Sequence, residues 1–307
     1  MSRFYRALQE ASRTDSDLAE KAGVAEFGNG KPDAETLPIL NHVDALEAIA
    51  IADALAGEAD STSEDDKQVL PAAEPRSGSL GIPTTVLMDR AAPLIPHAVD
   101  KAVVEYYRRL RAKIMQEQER KPFCSLVVTS PAPQDGKSVT ALNLALSFGM
   151  LPSYRVLLVD GDLRKGSLGK WLGIEDHPGL NNLIEGSAEL EDVVLKCDDI
   201  PVYFMVRGSA TTSPAELLHS SRLAPQLRKM TEHFSLVLVD SPPVNLVADA
   251  QLLAAGCDAV LLVARAFATT RKALQKAVQE LSPFRVIGTV LNQGMRADLY
   301  RHYKNYK

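Results

Sequence analysis

The chain has 307 residues, 24% of them charged and 46% hydrophobic, with a formal net charge of −5. That length fits one large α/β domain plus an added segment, and the acidic balance excludes a strongly basic nucleic-acid binder. Charge is uneven: residues 1–80 carry 16 acidic and 7 basic side chains, net −9, which leaves +4 for the rest. Cys124, Cys197 and Cys257 are widely spaced, with no CxxC pair or Cys/His cluster. A thiolate metal site is therefore not expected, and a reducing compartment is. No apolar run reaches the length of a membrane span and no signal-peptide pattern opens the chain. The expected location is cytoplasmic, with any recruitment to the inner face of the membrane supplied by a partner.

Phe4, Tyr5 and Leu8 recur at helical spacing among Arg3, Arg6 and Arg13, which predicts a short amphipathic helix over residues 1–13. A second helix, rich in Ala, Ile and Leu, is predicted over residues 40–55. Residues 58–84 read as linker, acidic and Ser-rich first, then punctuated by Pro and Gly. Residues 1–90 are accordingly expected to form an acidic, partly disordered segment with short helices. After Pro96 a long helix is predicted over residues 98–119, ended by Pro122. Strands are predicted at residues 123–129, 155–159, 202–206, 236–239, 259–263 and 286–291. Several are continuous Val/Leu/Ile runs, which suit strands buried on both faces of a parallel sheet. Helices at residues 139–149, 214–230, 248–255 and 270–281 fall between them. Alternating β and α elements predict an α/β fold, a mostly parallel sheet with helices on both faces, over residues 91–295.

Chemistry concentrates at three strand ends. The first strand runs into Ser130-Pro-Ala-Pro-Gln-Asp-Gly-Lys-Ser138 and then a helix. Strand, loop, Gly-Lys-Ser, helix is the context of a P-loop, although Pro131 stands where the strict pattern has its first glycine. Free N–H groups at a helix N-terminus bind phosphate oxygens, Gly136 permits close backbone approach, Lys137 neutralises β/γ-phosphate charge, and the Ser138 hydroxyl can ligate Mg²⁺. A second apolar run ends in Asp160-Gly-Asp162, and a third ends in Asp240-Ser-Pro-Pro. In a parallel sheet these ends share one rim. Mg²⁺ needs only one or two carboxylates, so a third is available to accept a hydroxyl proton. The chain closes on a polar tail, residues 296–307, in which Tyr300, Tyr303 and Tyr306 account for three of its eight tyrosines. A tyrosine-bearing tail on a chain with a phosphoryl-transfer site suggests self-phosphorylation.

These residues resemble the bacterial tyrosine kinases of capsule and exopolysaccharide loci, from about Ala98 to Lys307. Ser130–Ser138 is similar to their Walker A loop, Asp160-Gly-Asp162-Leu-Arg164 to their additional Walker A′ motif, and Asp240 with the following prolines to their Walker B. Ser213-Pro-Ala-Glu-Leu-Leu-His-Ser220 resembles another family stretch, the tail matches their tyrosine cluster, and Glu105, Arg108 and Arg111 match their ExxRxxR oligomerisation motif. The resemblance implies a P-loop NTPase fold and an ATP- and Mg²⁺-dependent autokinase acting in trans. It implies nucleotide contacts from Pro133, Gln134, Asp135, Gly136, Lys137, Ser138 and Val139, with Asn292 near the base. Ser138, Asp162 and Asp240 would serve the metal, and Lys137 and Asp160 would be catalytic, Asp160 as the base. The implied partners are a ring-like homo-oligomer, a membrane polysaccharide co-polymerase that activates the kinase, and a tyrosine phosphatase. A Min/Par-type ATPase switch and a catalytically weak scaffold share the nucleotide motifs and stand as alternatives. The switch proteins usually carry a lysine at the position of Ala132, and they need no tyrosine tail.

Overall fold

The computed structural model describes residues 85–86, 101–197 and 202–293. The helices predicted over residues 1–13 and 40–55, the linker 58–84, the start of the helix expected from Ala98 and the tail tyrosines lie outside the described residues.

Three apolar runs, each of five consecutive buried residues, form β2 (Ser125–Thr129), β3 (Val156–Asp160) and β6 (Leu236–Asp240). They are joined by β5 (Val202–Met205), β7 (Ala259–Arg265) and β8 (Val286–Asn292). Two short strands that periodicity did not reveal, β1 (Thr85–Val86) and β4 (Leu195–Cys197), complete the edge. Among the described residues the sheet runs β1-β4-β5-β3-β6-β2-β7-β8. Every pairing is parallel except β4 with β5.

Both faces are covered, which is why the strands are apolar throughout. Leu126, Val128, Leu158, Leu238 and Leu261 share one core with Tyr107, Leu110 and Ile114 of α1 (Lys101–Arg120) and with Leu142 and Leu146 of α2 (Lys137–Gly149). The alternate residues Val127, Leu157, Val237 and Val239 are equally buried on the opposite face. There α7 (Leu223–His233) packs on β6 and α8 (Asp249–Gly256) on β2. Each such Val or Leu contributes about 1.5–3 kcal/mol on burial. Short helices α3 (Leu168–Leu172), α4 (Leu180–Glu185) and α5 (Leu190–Val193) follow β3, and α9 (Arg271–Glu280) links β7 to β8.

One predicted helix is two. Residues 214–230 divide into α6 (Pro214–His219) and α7, with Ser220 extended at φ −62°, ψ 148°. Pro225 explains the break. A proline inside a helix removes one amide bond and clashes with the carbonyl four residues back, but it is tolerated in a first turn. The chain therefore restarts the helix at Leu223.

Candidate active site

The loop between β2 and α2 passes through two left-handed residues, Gln134 at φ 66° and Gly136 at φ 94°. Gly136 is also closed in: a Cβ there would stand 1.9 Å from Asn292 Nδ2. Asp135 braces the loop from inside. Its Oδ2 accepts the Ala132 N–H at 2.9 Å, and its Oδ1 accepts the Thr269 hydroxyl at 2.8 Å. Burial pushes this carboxyl above its usual range. Asn292, at the end of β8, donates Nδ2 to the Asp135 carbonyl at 2.9 Å, and its Oδ1 is buried without a partner among the described residues. Pro133 and Gln134 form the exposed tip, and Val139 is half-buried in the first turn of α2. No side chain caps α2. Its first-turn amides and dipole therefore face the loop, as anion binding requires.

Three strand ends converge beside this loop. The Lys137 ammonium lies 2.9 Å from Ser138 Oγ, 3.5 Å from Asp240 Oδ1 and 3.9 Å from Asp162 Oδ2. Asp240 is fully buried, its Oδ2 has no hydrogen-bond partner among the described residues, and burial raises its pKa against the opposing pull of Lys137 and Ser138. Asp160 is its register partner on the neighbouring strand. It too has no exposed surface; its Oδ1 accepts the Asp162 N–H at 3.2 Å and its Oδ2 the Leu168 N–H at 2.9 Å. Burial, with the Asp240 carboxylate beside it, pushes Asp160 up to about 7. Asp162 sits two residues beyond the end of β3, and its Oδ1 accepts the Lys165 N–H at 3.0 Å.

The rim thus brings together Lys137, Ser138, Asp160, Asp162 and Asp240. Glu105, Arg108 and Arg111 are elsewhere, on α1. Glu105 and Arg108 form an exposed pair at 3.6 Å, while Arg111 donates Nη1 to the Ser147 carbonyl of α2. Arg111 is thus engaged within the chain, while Glu105 and Arg108 face solvent. Sequence reasoning gave no role to Thr269, which holds Asp135, or to Asp249, which pairs with Arg164. A lone Asp at the head of the apolar 249–256 helix was the available signal for the second.

A parallel sheet whose first central strand leads through a glycine-lysine-serine loop into a buried helix defines a P-loop NTPase. No protein-family model matches the chain. The tyrosine-protein kinase CpsD of Streptococcus pneumoniae serotype 4 is 31% identical over 196 residues, which cover 63% of this chain and 85% of that protein. The solved chimerical protein CapA2B2 superposes with a TM-score of 0.63 at 28% identity, covering 71% of this chain and 96% of that one. The kinase domain of the Escherichia coli tyrosine kinase ETK gives 0.60 at 28% identity, covering 64% and 77%. The chain belongs to the bacterial tyrosine-protein kinases, and it spans 27% of some longer members. That membership favours the kinase over the Min/Par-type switch. Among the described residues no helix is long and apolar enough to cross a membrane.

Proposed function

We propose that this kinase uses ATP and Mg²⁺ to phosphorylate Tyr300, Tyr303 and Tyr306 on a neighbouring copy of itself. The observation that carries the reading is the meeting of Lys137, Ser138, Asp162 and Asp240 beside the uncapped start of α2. The donors fit a hard cation. Asp240 Oδ2 is a buried carboxylate oxygen without a hydrogen-bond partner among the described residues, and Ser138 adds a hydroxyl. Mg²⁺ keeps waters and phosphate oxygens as ligands, so one or two carboxylates and a hydroxyl suffice. Ser138, Asp162 and Asp240 would hold the ion. When bound, nucleotide and ion supply the phosphoryl group and screen its charge.

The chain's own residues do the rest. Gly136 and the α2 amides cradle phosphate oxygens, and the Lys137 ammonium neutralises their charge. Asn292 and Asp135 keep the loop in shape. Asp160 accepts the tyrosine proton, the task of a positioned carboxylate at a strand end. Each of its oxygens has a second lone pair, so its two amide bonds orient it without exhausting it. Asp160 is closed from solvent, so the acceptor hydroxyl reaches it only through a local opening of the surrounding side chains. The resemblance and the kinase relatives support a role in regulating capsule or exopolysaccharide synthesis and export. The resemblance alone carries the further parts of the proposal: a ring-like homo-oligomer assembled through α1, recruitment to the inner membrane face by a polysaccharide co-polymerase, and resetting by a tyrosine phosphatase.

The test is incubation with γ-labelled ATP and Mg²⁺, followed by mapping of the label. Label on residues 296–307 that vanishes in a folded Lys137→Met variant supports the reading. Equal labelling of the variant removes the site assignment.

A further inference from the structure

Arg164 closes the Asp-Gly-Asp-Leu-Arg motif, and the reading above gives it nothing to do. Its Nε donates to Asp249 Oδ2 at 2.8 Å and its Nη2 to Asp249 Oδ1 at 3.1 Å, two parallel bonds from fork to carboxylate. The Asp249 side chain has no exposed surface, whereas that of Arg164 is 42% exposed. Asp249 heads α8, on the segment that leaves β6 through Asp240. The pair therefore ties the turn after β3 to the chain after β6.

That tie acts where the sheet no longer can. Asp160 is held by its register with Asp240, but Asp162 lies beyond the last rung. Gly161 is pressed against the neighbouring segment: its N–H donates to the Asp240 carbonyl at 2.7 Å, and a Cβ there would meet that carbonyl oxygen at 2.8 Å. On the other flank Arg207 Nη1 reaches the carbonyls of Leu163 and Arg164 at 3.4 and 3.3 Å. Between these supports the Asp162 carboxylate is carried by a turn closed by Gly166 N–H to Asp162 O at 2.8 Å. A one-point contact at Arg164 would leave that turn free to swing, whereas a two-point fork fixes both position and angle.

We propose that Asp249 is a positioning residue for phosphoryl transfer: through Arg164 it sets where Asp162 stands against Asp240 and Lys137. The proposal rests on the kinase-site reading above. A buried ion pair that served stability alone would lower the melting temperature and leave the folded protein's chemistry intact. A positioning pair changes metal dependence and turnover more than nucleotide affinity, because misplacement by about 1 Å costs on the order of 100-fold in rate.

The experiment uses the full chain with Asp249→Asn, Arg164→Lys and Lys137→Met. Asn sets an amide NH₂ against the guanidinium, and Lys keeps the charge but lacks the fork. Thermal melting, binding of a fluorescent ATP analogue with and without Mg²⁺, and single-turnover label transfer are measured. For Asp249→Asn, metal-free nucleotide affinity is expected within about threefold of the parent, the Mg²⁺ requirement for binding raised about tenfold, and transfer slowed roughly 30- to 100-fold. Arg164→Lys, altered at a partly exposed side chain, should fold and fall between the two. Parental Mg²⁺ dependence and transfer rate per folded molecule in both variants would overturn the proposal while leaving the site reading in place. A parent that labels no better than Lys137→Met would overturn the site reading, and the proposal with it.

Discussion

Asp160 and Asp240 are carboxylates placed where water cannot reach them, and their charge is costly there until a cation or a proton arrives. For Asp160 the consequence has a definite sign. Its folded pKa, up to about 7, exceeds the unfolded value, so the folded state keeps a proton that the unfolded chain has released. Stability from this group is complete below the unfolded value near ~4 and is lost as pH rises through about 7. The raised Asp135 and Asp240 act in the same direction, Asp162 adds repulsion, and Lys137 opposes it. Without nucleotide and in chelator, the parent's melting temperature should therefore fall between about pH 5 and pH 8 more than that of Asp160→Asn. Parallel curves for the two proteins would contradict the assignment. Gly136→Ala is a second test at this scale. The new Cβ combines φ 94° with a 1.9 Å approach to Asn292. We expect a loss of roughly 1–3 kcal/mol from backbone strain and at least tenfold weaker nucleotide binding. Adding Asn292→Ala should remove the clash but not the strain, so rescue should be partial in a double-mutant cycle.

Among the elements, α1 serves two ends at once. Its inner face packs on α2, the helix that carries the phosphate loop, through Tyr107, Leu110 and Ile114. The Tyr107 hydroxyl is buried near Thr140 and Asn143, and that burial raises its pKa. Arg111 places its cation at the carbonyl end of α2, where the helix dipole favours it. Arg108, 54% exposed in an i,i+3 pair with Glu105, contributes little to the fold. The two arginines should therefore separate. Arg111→Ala should lower stability by about 1–2 kcal/mol in denaturant titration whatever the assembly state. Arg108→Ala should leave stability unchanged and reduce assembly size in sedimentation. A monomer as stable in Arg111→Ala as in the parent, or an unaltered assembly in Arg108→Ala, would refute the corresponding half.

At the scale of the molecule, the sheet order places β3, β6 and β2 side by side and so gathers the three motif ends on one rim. On the proposed reading the acceptors are Tyr300, Tyr303 and Tyr306, in the polar last residues of the sequence. Each transfer adds about −1.5 to −2 charge to a tail that carries Arg301, Lys304 and Lys307, so modification of all three tyrosines together reverses its sign and repels it from an aspartate-lined rim. Mixing a Lys137→Met chain with an active chain whose Tyr300, Tyr303 and Tyr306 are all Phe should move label onto the first. Label that never crosses would exclude transfer in trans.

Much of this was legible in local chemistry. Apolar runs that end in Asp160 and Asp240 can only be strands buried on both faces, and a glycine-lysine-serine loop between strand and helix announces phosphate binding wherever the sheet closes. Such patterns depend on near neighbours, because strand burial and helix starts are set by residues a few positions apart. The split at Ser220 was also within reach, since Pro225 carries its own rule. Other features needed the fold. Arg111 meets Ser147 across 36 positions, Arg164 meets Asp249 across 85, and Asn292 meets Asp135 across 157. No periodicity links partners so far apart; the stacking of strands does. The elevated pKa of Asp160 has the same origin. Its neighbours in sequence allow an ordinary exposed turn, and it is the parallel pairing with Asp240, under helices on both sides, that removes the water and leaves two carboxylates to share one lysine.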